Sequence, residues 1–205
     1  LPTTKYVEYF MSLIQLLVIN GIIPVVVFDG RSLPAKGVTN SARRQQRDQN
    51  KADARQAAEQ GFHAQAITHY QRSIHITSEM VYATIAALRV AKIEFLVAPY
   101  EADPQLAFLS LNNHVDIVIT EDSDSLVYGC RRVLFKLNKD GYAQEIIRRA
   151  LGANQPLSFI SFTDIQFKLM CCLSGCDYLP KLLNVGLVTA HRIVEENRSF
   201  DKICR

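Results

Sequence analysis

The chain has 205 residues, of which 48% are hydrophobic and 21% are charged, and this balance excludes a disordered protein. The 23 Lys and Arg residues against 20 Asp and Glu give a net charge of +3, which by itself identifies no class of partner. The longest apolar run, Gly21 to Phe28, is too short to cross a membrane, so no membrane partner is expected. The five cysteines form no C-x-x-C pair of the kind that binds zinc.

The first half of the chain predicts helices on either side of a short buried strand. Apolar residues at helical spacing predict a helix over 5–19, which ends near Gly21. "VVVF" (25–28) predicts a β-branched strand. A polar stretch to about residue 60 then leads into one long helical pattern that runs from Ile67 to Leu88.

The second half predicts further strands and a helical end. "IEFLVA" (93–98) and "VDIVIT" (115–120) are two more buried strands, with a helix between them that has Pro104 at its first position. "RRVLFKL" (131–137) predicts a fourth strand, and the chain is predicted to be helical from residue 163 onward. Apolar strands that alternate with helices predict an α/β fold, with a mostly parallel central sheet that is covered by helices on both faces.

Acidic residues follow three of these strands. Sites in parallel sheets form beyond the carboxyl ends of the strands. The acids at those ends are Asp29, Glu101, Asp103, Asp122 and Asp124. Each one alone also fits a turn or a helix cap, as Asp103 before Pro104 does. Because these strand ends share one edge of the sheet, the sequence predicts that the carboxylates converge.

Converging carboxylates need a cation or strongly raised pKa values. Hard oxygen ligands without His or Cys favour Mg²⁺ or Mn²⁺. Asp177 in "LSGCDYLP" is a sixth candidate ligand, and the other interpretation of this residue is a cap or turn after Gly175.

A basic stretch lies between the first strand and the long helical pattern. Arg43, Arg47, Lys51 and Arg55 are four residues apart, so a helix here would carry one basic face. Like charges at this spacing destabilise an isolated helix, which favours a solvated surface segment. Beside a magnesium site, however, the same charges suit a phosphate-binding element that orders on nucleic acid, and we favour this interpretation.

Four motifs occur in order along the chain: "VVVFDG", "APYEADPQLA", "ITEDSDSLVYG" and "LSGCDYLP". Together they resemble the 5′ nuclease superfamily of flap endonucleases (XPG/FEN type). "RSIHIT" and "MCCLSGCDYL" are most similar to the exonuclease 1 branch of eukaryotes.

The resemblance implies a PIN-like nuclease core over residues 1–150, with a helical arch at about 36–92. Residues 151–205 would form a helical region with a helix–two-turn–helix that binds duplex DNA. The implied activity is two-metal hydrolysis of DNA, as a 5′-to-3′ exonuclease on double strands with 5′ flap endonuclease activity. The implied partners are DNA with 5′ ends, nicks, gaps or flaps, and repair proteins that bind parts outside this chain, in the nucleus.

The resemblance also assigns roles to individual residues. The implied metal ligands are Asp29, Glu101, Asp103, Asp122, Asp124 and Asp177, for two Mg²⁺ ions that Mn²⁺ could replace. Lys36 and Arg43 would act with them in catalysis at the scissile phosphate. The implied DNA-binding residues are Lys36, Arg43, Arg44, Arg47, Lys51, Arg55 and Gly186. Ser174 and Val185 would contribute to a K⁺ site.

The chain departs from the family pattern at three places. Lys181 stands where the exonuclease 1 branch has a small hydroxyl residue, and Asn184 replaces the first glycine of the hairpin. The family's first strand, with another metal-site aspartate, has no counterpart after Leu1. An incomplete nuclease is therefore expected, one that is prone to aggregate and binds DNA better than it cleaves it.

Three alternatives remain open on the sequence. A magnesium-dependent phosphatase would need Asp-x-Asp at the first strand, but Gly30 and Arg31 follow Asp29. A DNA-binding fragment that does not cleave is the alternative outside the enzymes. A flap endonuclease is the alternative to the exonuclease branch.

Overall fold

The computed structural model of the chain describes residues 3–203. The helices are α1 (Lys5–Ile19), α2 (Gly37–Glu59), α3 (His63–Ser73), α4 (Ser78–Val90), α5 (Ala102–Leu111), α6 (Asp124–Tyr128), α7 (Asp164–Ser174), α8 (Leu187–Asn197) and α9 (Phe200–Ile203). The strands are β1 (Val25–Phe28), β2 (Glu94–Val97), β3 (Val118–Ile119), β4 (Arg132–Phe135) and β5 (Gln144–Ile147). Short 3₁₀ helices cover Pro34–Lys36 and Arg148–Ala153. No helix within this part of the chain is both long and apolar enough to span a membrane.

The strands form two small sheets. β1 pairs in parallel with β2, and β3 pairs in parallel with β4. β5 is antiparallel to β4 and was not predicted. The α/β class with mainly parallel strands is confirmed. The expected single sheet is divided between β1 and β3 over residues 3–203, and β3 has only two paired residues.

The first helix and strand follow the prediction. α1 ends at Ile19, and Gly21 adopts a φ of 75°, a conformation that glycine takes without steric cost. Its N–H donates to the carbonyl of Val18 at 3.0 Å, and the N–H of Ile22 donates to that of Leu17 at 3.0 Å. These bonds close the helix and turn the chain into β1.

The basic stretch is a regular helix in this structure, so the expectation of a partly ordered segment is wrong, whereas phosphate binding by its basic face stays a prediction. α2 has 23 residues, and it packs mainly against α3. Its buried side chains are Asn50, Ala54 and Ala57, and Ala66 is the buried residue of α3. Small side chains on the facing surfaces allow the two helices to approach closely, and this burial stabilises α2 despite its like charges.

The single long helical pattern is also wrong, because the chain breaks between α3 and α4. Ile74 and Ile76 lie in the break and are 68% and 75% exposed. Thr77 starts α4 by accepting a hydrogen bond from the N–H of Met80 to its Oγ1 at 3.4 Å. The α2–α3 pair and α4 together span the predicted arch.

The three-stranded sheet and the last helices have separate cores. Val118, Leu126 and Val133 form one buried cluster between β3, β4 and α6. Met170 and Val194 form another between α7 and α8. Of the five cysteines of the chain, Cys204 lies outside the described residues.

Candidate active site

All six predicted acids line one cleft of about 830 Å³ beyond the carboxyl ends of β1, β2 and β3. The acids are Asp29, Glu101, Asp103, Asp122, Asp124 and Asp177. Lys36 and Arg43 line the same cleft. The strand ends and the loop after α7 thus bring together side chains that are up to 148 residues apart in the sequence.

The backbone after β1 and β2 holds the first two acids side by side. The N–H of Gly30 donates to the carbonyl of Tyr100, so the pairing continues past both strands. Glycine is required at position 30 because a Cβ there would collide with the carbonyl oxygen of Ala98. Asp29 Oδ1 accepts a hydrogen bond from the N–H of Ala102 at 2.7 Å, which joins it to the first turn of α5.

The start of α5 differs from the prediction. Ala102 is its first residue, so Pro104 is the third helical residue rather than the first. Asp103 lies inside the first turn, and the N-cap is Glu101, whose side chain makes no capping bond. Asp103 is therefore not a cap, and its side chain lines the cleft.

A tight turn after β3 presents the next two acids. Thr120 Oγ1 accepts from the N–H of Asp122 at 3.1 Å, and Asp122 Oδ1 accepts from the N–H of Asp124 at 2.9 Å. Glu121 has a different orientation, because its Oε1 accepts from the N–H of Lys136 at 2.8 Å. The crowded acids of "ITEDSD" are thus divided between the cleft and the end of β4.

Asp177, in the loop after α7, is bound by two cations from the segment predicted to form the arch. Arg43 Nη2 donates to Asp177 Oδ1 at 3.0 Å and to Oδ2 at 2.9 Å. Lys36 Nζ lies 3.4 Å from Asp177 Oδ2 and 2.9 Å from Glu101 Oε2. The two basic residues predicted to reach phosphate therefore lie among the predicted metal ligands.

Lys36 is 7% exposed, an unusual degree of burial for lysine. Its ammonium lies 4.9 Å from the centre of the Tyr178 ring, and the hydroxyls of Tyr178 and Tyr128 are hydrogen-bonded at 2.6 Å. Burial alone would lower the pKa of Lys36, but the contacts with Glu101, Tyr178 and Asp177 together outweigh burial and raise this pKa above its usual value. Lys36 is thus a buried ion-pair partner of the acids.

The remaining acids are close enough to disturb one another. Burial, followed by the charges of Asp122, Asp29 and Asp124, raises the pKa of Asp103 to about 6. Burial and then Asp122 also raise the pKa of Asp124. Ionised carboxylates in this arrangement repel one another, and a bound cation would reduce this repulsion.

The cleft fits a hard divalent cation in donor chemistry. Its acids supply only oxygen ligands, and Asp103, Asp122 and Asp124 have no salt-bridge partner among residues 3–203. Over the same residues, no three carboxylate, His or Cys side chains are arranged to hold a metal ion as they stand. The ligands are therefore present, while Lys36 and Arg43 occupy part of the space between them.

Apart from Lys36 and Arg43, the predicted DNA-binding residues and the predicted potassium residues lie outside the acid cleft. Arg44, Arg47, Lys51 and Arg55 are on α2 and do not line the cleft. Gly186 is the N-cap of α8, and a Cβ there would meet nothing within 4 Å. Ser174 ends α7, and Val185 packs partly buried against the α7–α8 core. These two residues lie at the two ends of the loop between α7 and α8.

The two substitutions in this loop are accommodated by the backbone and by Gly175. Asn184 has a φ of 61°, a left-handed conformation that asparagine tolerates better than most residues, so it can replace glycine. Lys181 passes over Gly175, where a Cβ would lie 3.8 Å from the Cγ of the lysine.

Several cleft residues were missed from the sequence. They are Tyr128, Tyr178, Lys168, Cys171, Cys172 and Cys176. Two of them had a local signal: Tyr128 is four residues after Asp124, on the same face of α6, and Tyr178 directly follows Asp177. Lys168 and the cysteines enter the cleft only because α7 packs beside α6.

Two family descriptions match the chain: the XPG N-terminal domain over residues 1–50 and the XPG I-region over residues 92–177. Exonuclease 1 of Xenopus laevis is 41% identical over 194 residues, which is 95% of this chain and 26% of that protein. Exodeoxyribonuclease 1 of Saccharomyces cerevisiae is 39% identical over 205 residues, which covers 98% of this chain and 29% of that protein.

Solved structures show the same fold. The catalytic core of Rad2 in complex with DNA substrate has a TM-score of 0.70 and 22% identity, and the match covers 98% of this chain and 54% of that chain. The Holliday junction-resolving enzyme GEN1 in complex with product DNA and a Mg²⁺ ion has a TM-score of 0.59 and 18% identity, over 92% of this chain and 37% of that chain.

The fold and the acidic cleft define a PIN-like 5′ nuclease core, and the chain belongs to the 5′ nuclease superfamily of XPG and flap endonuclease type. Within this superfamily it is similar to exonuclease 1. The chain spans about a quarter of the length of the curated relatives it matches.

Proposed function

We propose that this chain is the catalytic core of a magnesium-dependent, structure-specific 5′ nuclease that acts on DNA. The observation that carries the proposal is the convergence of six acids from three strand ends and one loop on a single cleft, with Lys36 and Arg43 at its wall. Similarity to exonuclease 1 proteins supports a 5′-to-3′ exonuclease with flap endonuclease activity. The expected substrates are DNA ends, nicks, gaps and 5′ flaps.

The six acids of the cleft are the proposed ligands of two Mg²⁺ ions, which Mn²⁺ could replace. When bound, such ions polarise the phosphate and lower the pKa of a coordinated water. The chain holds the ligands in position: Asp29 is fixed through the N–H of Ala102, and Asp122 through the N–H of Asp124 and the hydroxyl of Thr120. Preorganised ligands of this kind reduce the cost of assembling the site.

The arch supplies the positive charge for the phosphate. Lys36 and Arg43 are proposed to stabilise negative charge on the scissile group while water cleaves the bond to its 3′ oxygen, which leaves the 5′ phosphate on the product. The basic face of α2, with Arg44, Arg47 and Lys51, would contact phosphates further along the strand.

The loop between α7 and α8 is the proposed contact to duplex DNA. Gly186 leaves open space in front of the first N–H groups of α8, where a phosphate can approach the backbone closely. Ser174 and Val185 would contribute carbonyl or hydroxyl oxygens to a K⁺ ion in the same loop. A nuclear role in DNA repair, with partners that bind outside this chain, belongs to the same proposal.

The test is cleavage of 5′-labelled nicked and flapped duplexes in Mg²⁺ and in EDTA. Asp122→Asn keeps the shape of a proposed ligand and should lower the rate by at least about a hundredfold, since even outer partners of metal sites cost 10- to 100-fold. Asp116→Asn, which changes an exposed acid outside the cleft, is the matched control. Metal-independent cleavage, or equal rates for the two variants, would contradict the proposal.

A retained duplex affinity without any Mg²⁺-dependent cleavage would favour the alternative of a DNA-binding fragment that does not cleave. The ratio of rates on a recessed 5′ end and on a flap distinguishes the exonuclease branch from the flap endonuclease branch.

A further inference from the structure

The two basic residues of the arch are bound to the acids at both sides of the cleft. Lys36 bridges Glu101, which follows β2, and Asp177, which follows α7. Arg43 binds Asp177 with two hydrogen bonds, although its side chain is 57% exposed. Both cations thus use carboxylate oxygens that face the proposed metal site.

These contacts also fix the base of the arch. Lys36 directly precedes α2, and Arg43 lies nearly two turns into it. Between them, Thr39 Oγ1 donates to the main-chain carbonyl of Asp177 at 2.9 Å. The rest of α2 packs mainly on α3, so these three side chains attach the start of the arch to the loop that carries Asp177.

A carboxylate oxygen that is paired with an ammonium or guanidinium group binds a divalent cation more weakly than an unpaired carboxylate oxygen does. The two positive groups repel the ion at the close range and low dielectric of a partly buried cleft. The ion pairs, in turn, are what keep Glu101 and Asp177 compensated while no ion is bound. Metal binding and the ion pairs therefore compete for the same oxygens.

We propose that Lys36 and Arg43 are internal counterions, which hold the base of the arch on the acids until a divalent cation displaces them. Displacement frees both side chains for the phosphate and releases the start of α2. Binding of the metal ion thus completes the site and also releases the base of the arch from the acids. This inference rests on the proposed metal site, which it deepens.

A purely structural pair of salt bridges behaves differently. It would remain in place when the ion binds, and its removal would leave metal affinity unchanged or would weaken it by disordering the ligands. Internal counterions have the opposite effect, because their removal takes away a competitor.

The test is calorimetric titration of the DNA-free chain with Mg²⁺ at pH 7.5. Arg43→Gln keeps a long polar side chain at an exposed position and should bind Mg²⁺ about tenfold more tightly than the wild type, because a charge-assisted ion pair no longer competes. Lys36→Met should tighten binding at least as much, and circular dichroism checks that it folds. Arg72→Gln is the matched control: it removes the same charge at an exposed position of α3 outside the cleft, where residues 3–203 provide no ion-pair partner, and its affinity should stay within about twofold of the wild type.

Hydrogen–deuterium exchange gives a second measure that does not depend on any variant. Saturating Mg²⁺ should increase amide exchange over residues 37–43 of the wild type and leave residues 50–57, which pack on α3, unchanged. Unchanged or weaker Mg²⁺ affinity in Arg43→Gln, or slower exchange at the start of α2, would overturn the inference. If Mg²⁺ binds neither the wild type nor the variants, the proposed metal site itself is wrong. If Mg²⁺ binds all of them with equal affinity, only the proposal that Lys36 and Arg43 are internal counterions is wrong.

Discussion

Asp103→Asn should stabilise the metal-free chain above pH 6 although it removes a proposed ligand. Asp103 is held beside Asp122, Asp29 and Asp124, and burial with their charges raises its pKa from 3.8 to about 6. A raised carboxyl pKa means that the ionised form is disfavoured in the folded state. The wild type therefore loses stability as the pH rises from about 4 through 6, whereas the variant, which cannot ionise there, does not.

The size of this effect follows from the shift. A change of about two pKa units is worth about 3 kcal/mol. Since Asp103 is only partly buried and its neighbours titrate over the same range, we expect about half of that, roughly 1.5 kcal/mol, at pH 8. Near pH 3.5 both proteins carry a neutral side chain, and the difference should vanish.

Urea unfolding of both proteins between pH 3.5 and 8, in EDTA, measures the difference directly. Asp116→Asn, an exposed acid outside the cleft, should stay within about 0.5 kcal/mol of the wild type at every pH. Mg²⁺ should then raise the stability of the wild type more than that of Asp103→Asn. A variant that is less stable than the wild type at pH 8 in EDTA would refute this view of the acid cluster.

Three further predictions concern the arch, the α7–α8 loop and the core. Changing Arg47 and Lys51 together to Ala should weaken DNA binding and reduce the slope of log affinity against log salt by about two, and an unchanged slope would mean that this face of α2 contacts no phosphate. If the ammonium of Lys181 takes the place of K⁺, duplex binding should change little when K⁺ is replaced by a larger inert cation at equal ionic strength. The Lys181→Ser variant should instead require K⁺ for duplex binding. A strong K⁺ requirement in the wild type would contradict this prediction. Leu88→Ala should lower the free energy of unfolding in urea by about 2 to 5 kcal/mol, because Leu88 is fully buried. Val90 is 86% exposed, so Val90→Ala should leave this free energy nearly unchanged.

The positions of the acids could be predicted because their signal is local. Each strand is short and apolar, each acid follows directly, and the rule that parallel strands end at one edge supplies the convergence. The orientation of the individual carboxylates could not be predicted in this way. Glu121 is as close to β3 in the sequence as Asp122 is, yet a backbone N–H at the end of β4 draws its side chain away from the cleft.

The helical order of the basic stretch could not be predicted from the repulsion between basic residues four apart. The Ala, Gln and Arg residues of α2 have high helix propensity, which opposes this repulsion. Repulsion at exposed positions is worth only tenths of a kcal/mol, whereas burial of Ala54 and Ala57 against α3 is a larger tertiary contribution. The pairing of Lys36 with Glu101 could not be predicted either, because no local sequence pattern connects positions that are 65 residues apart.

Anomalous diffraction from crystals of the chain soaked in Mn²⁺ tests most directly whether the acids of the cleft hold divalent metal ions. We expect anomalous peaks bounded by Asp103, Asp122 and Asp124, with Lys36 Nζ moved away from Glu101. A map without peaks among these carboxylates at saturating Mn²⁺, with the contact between Lys36 and Glu101 intact, would contradict this expectation.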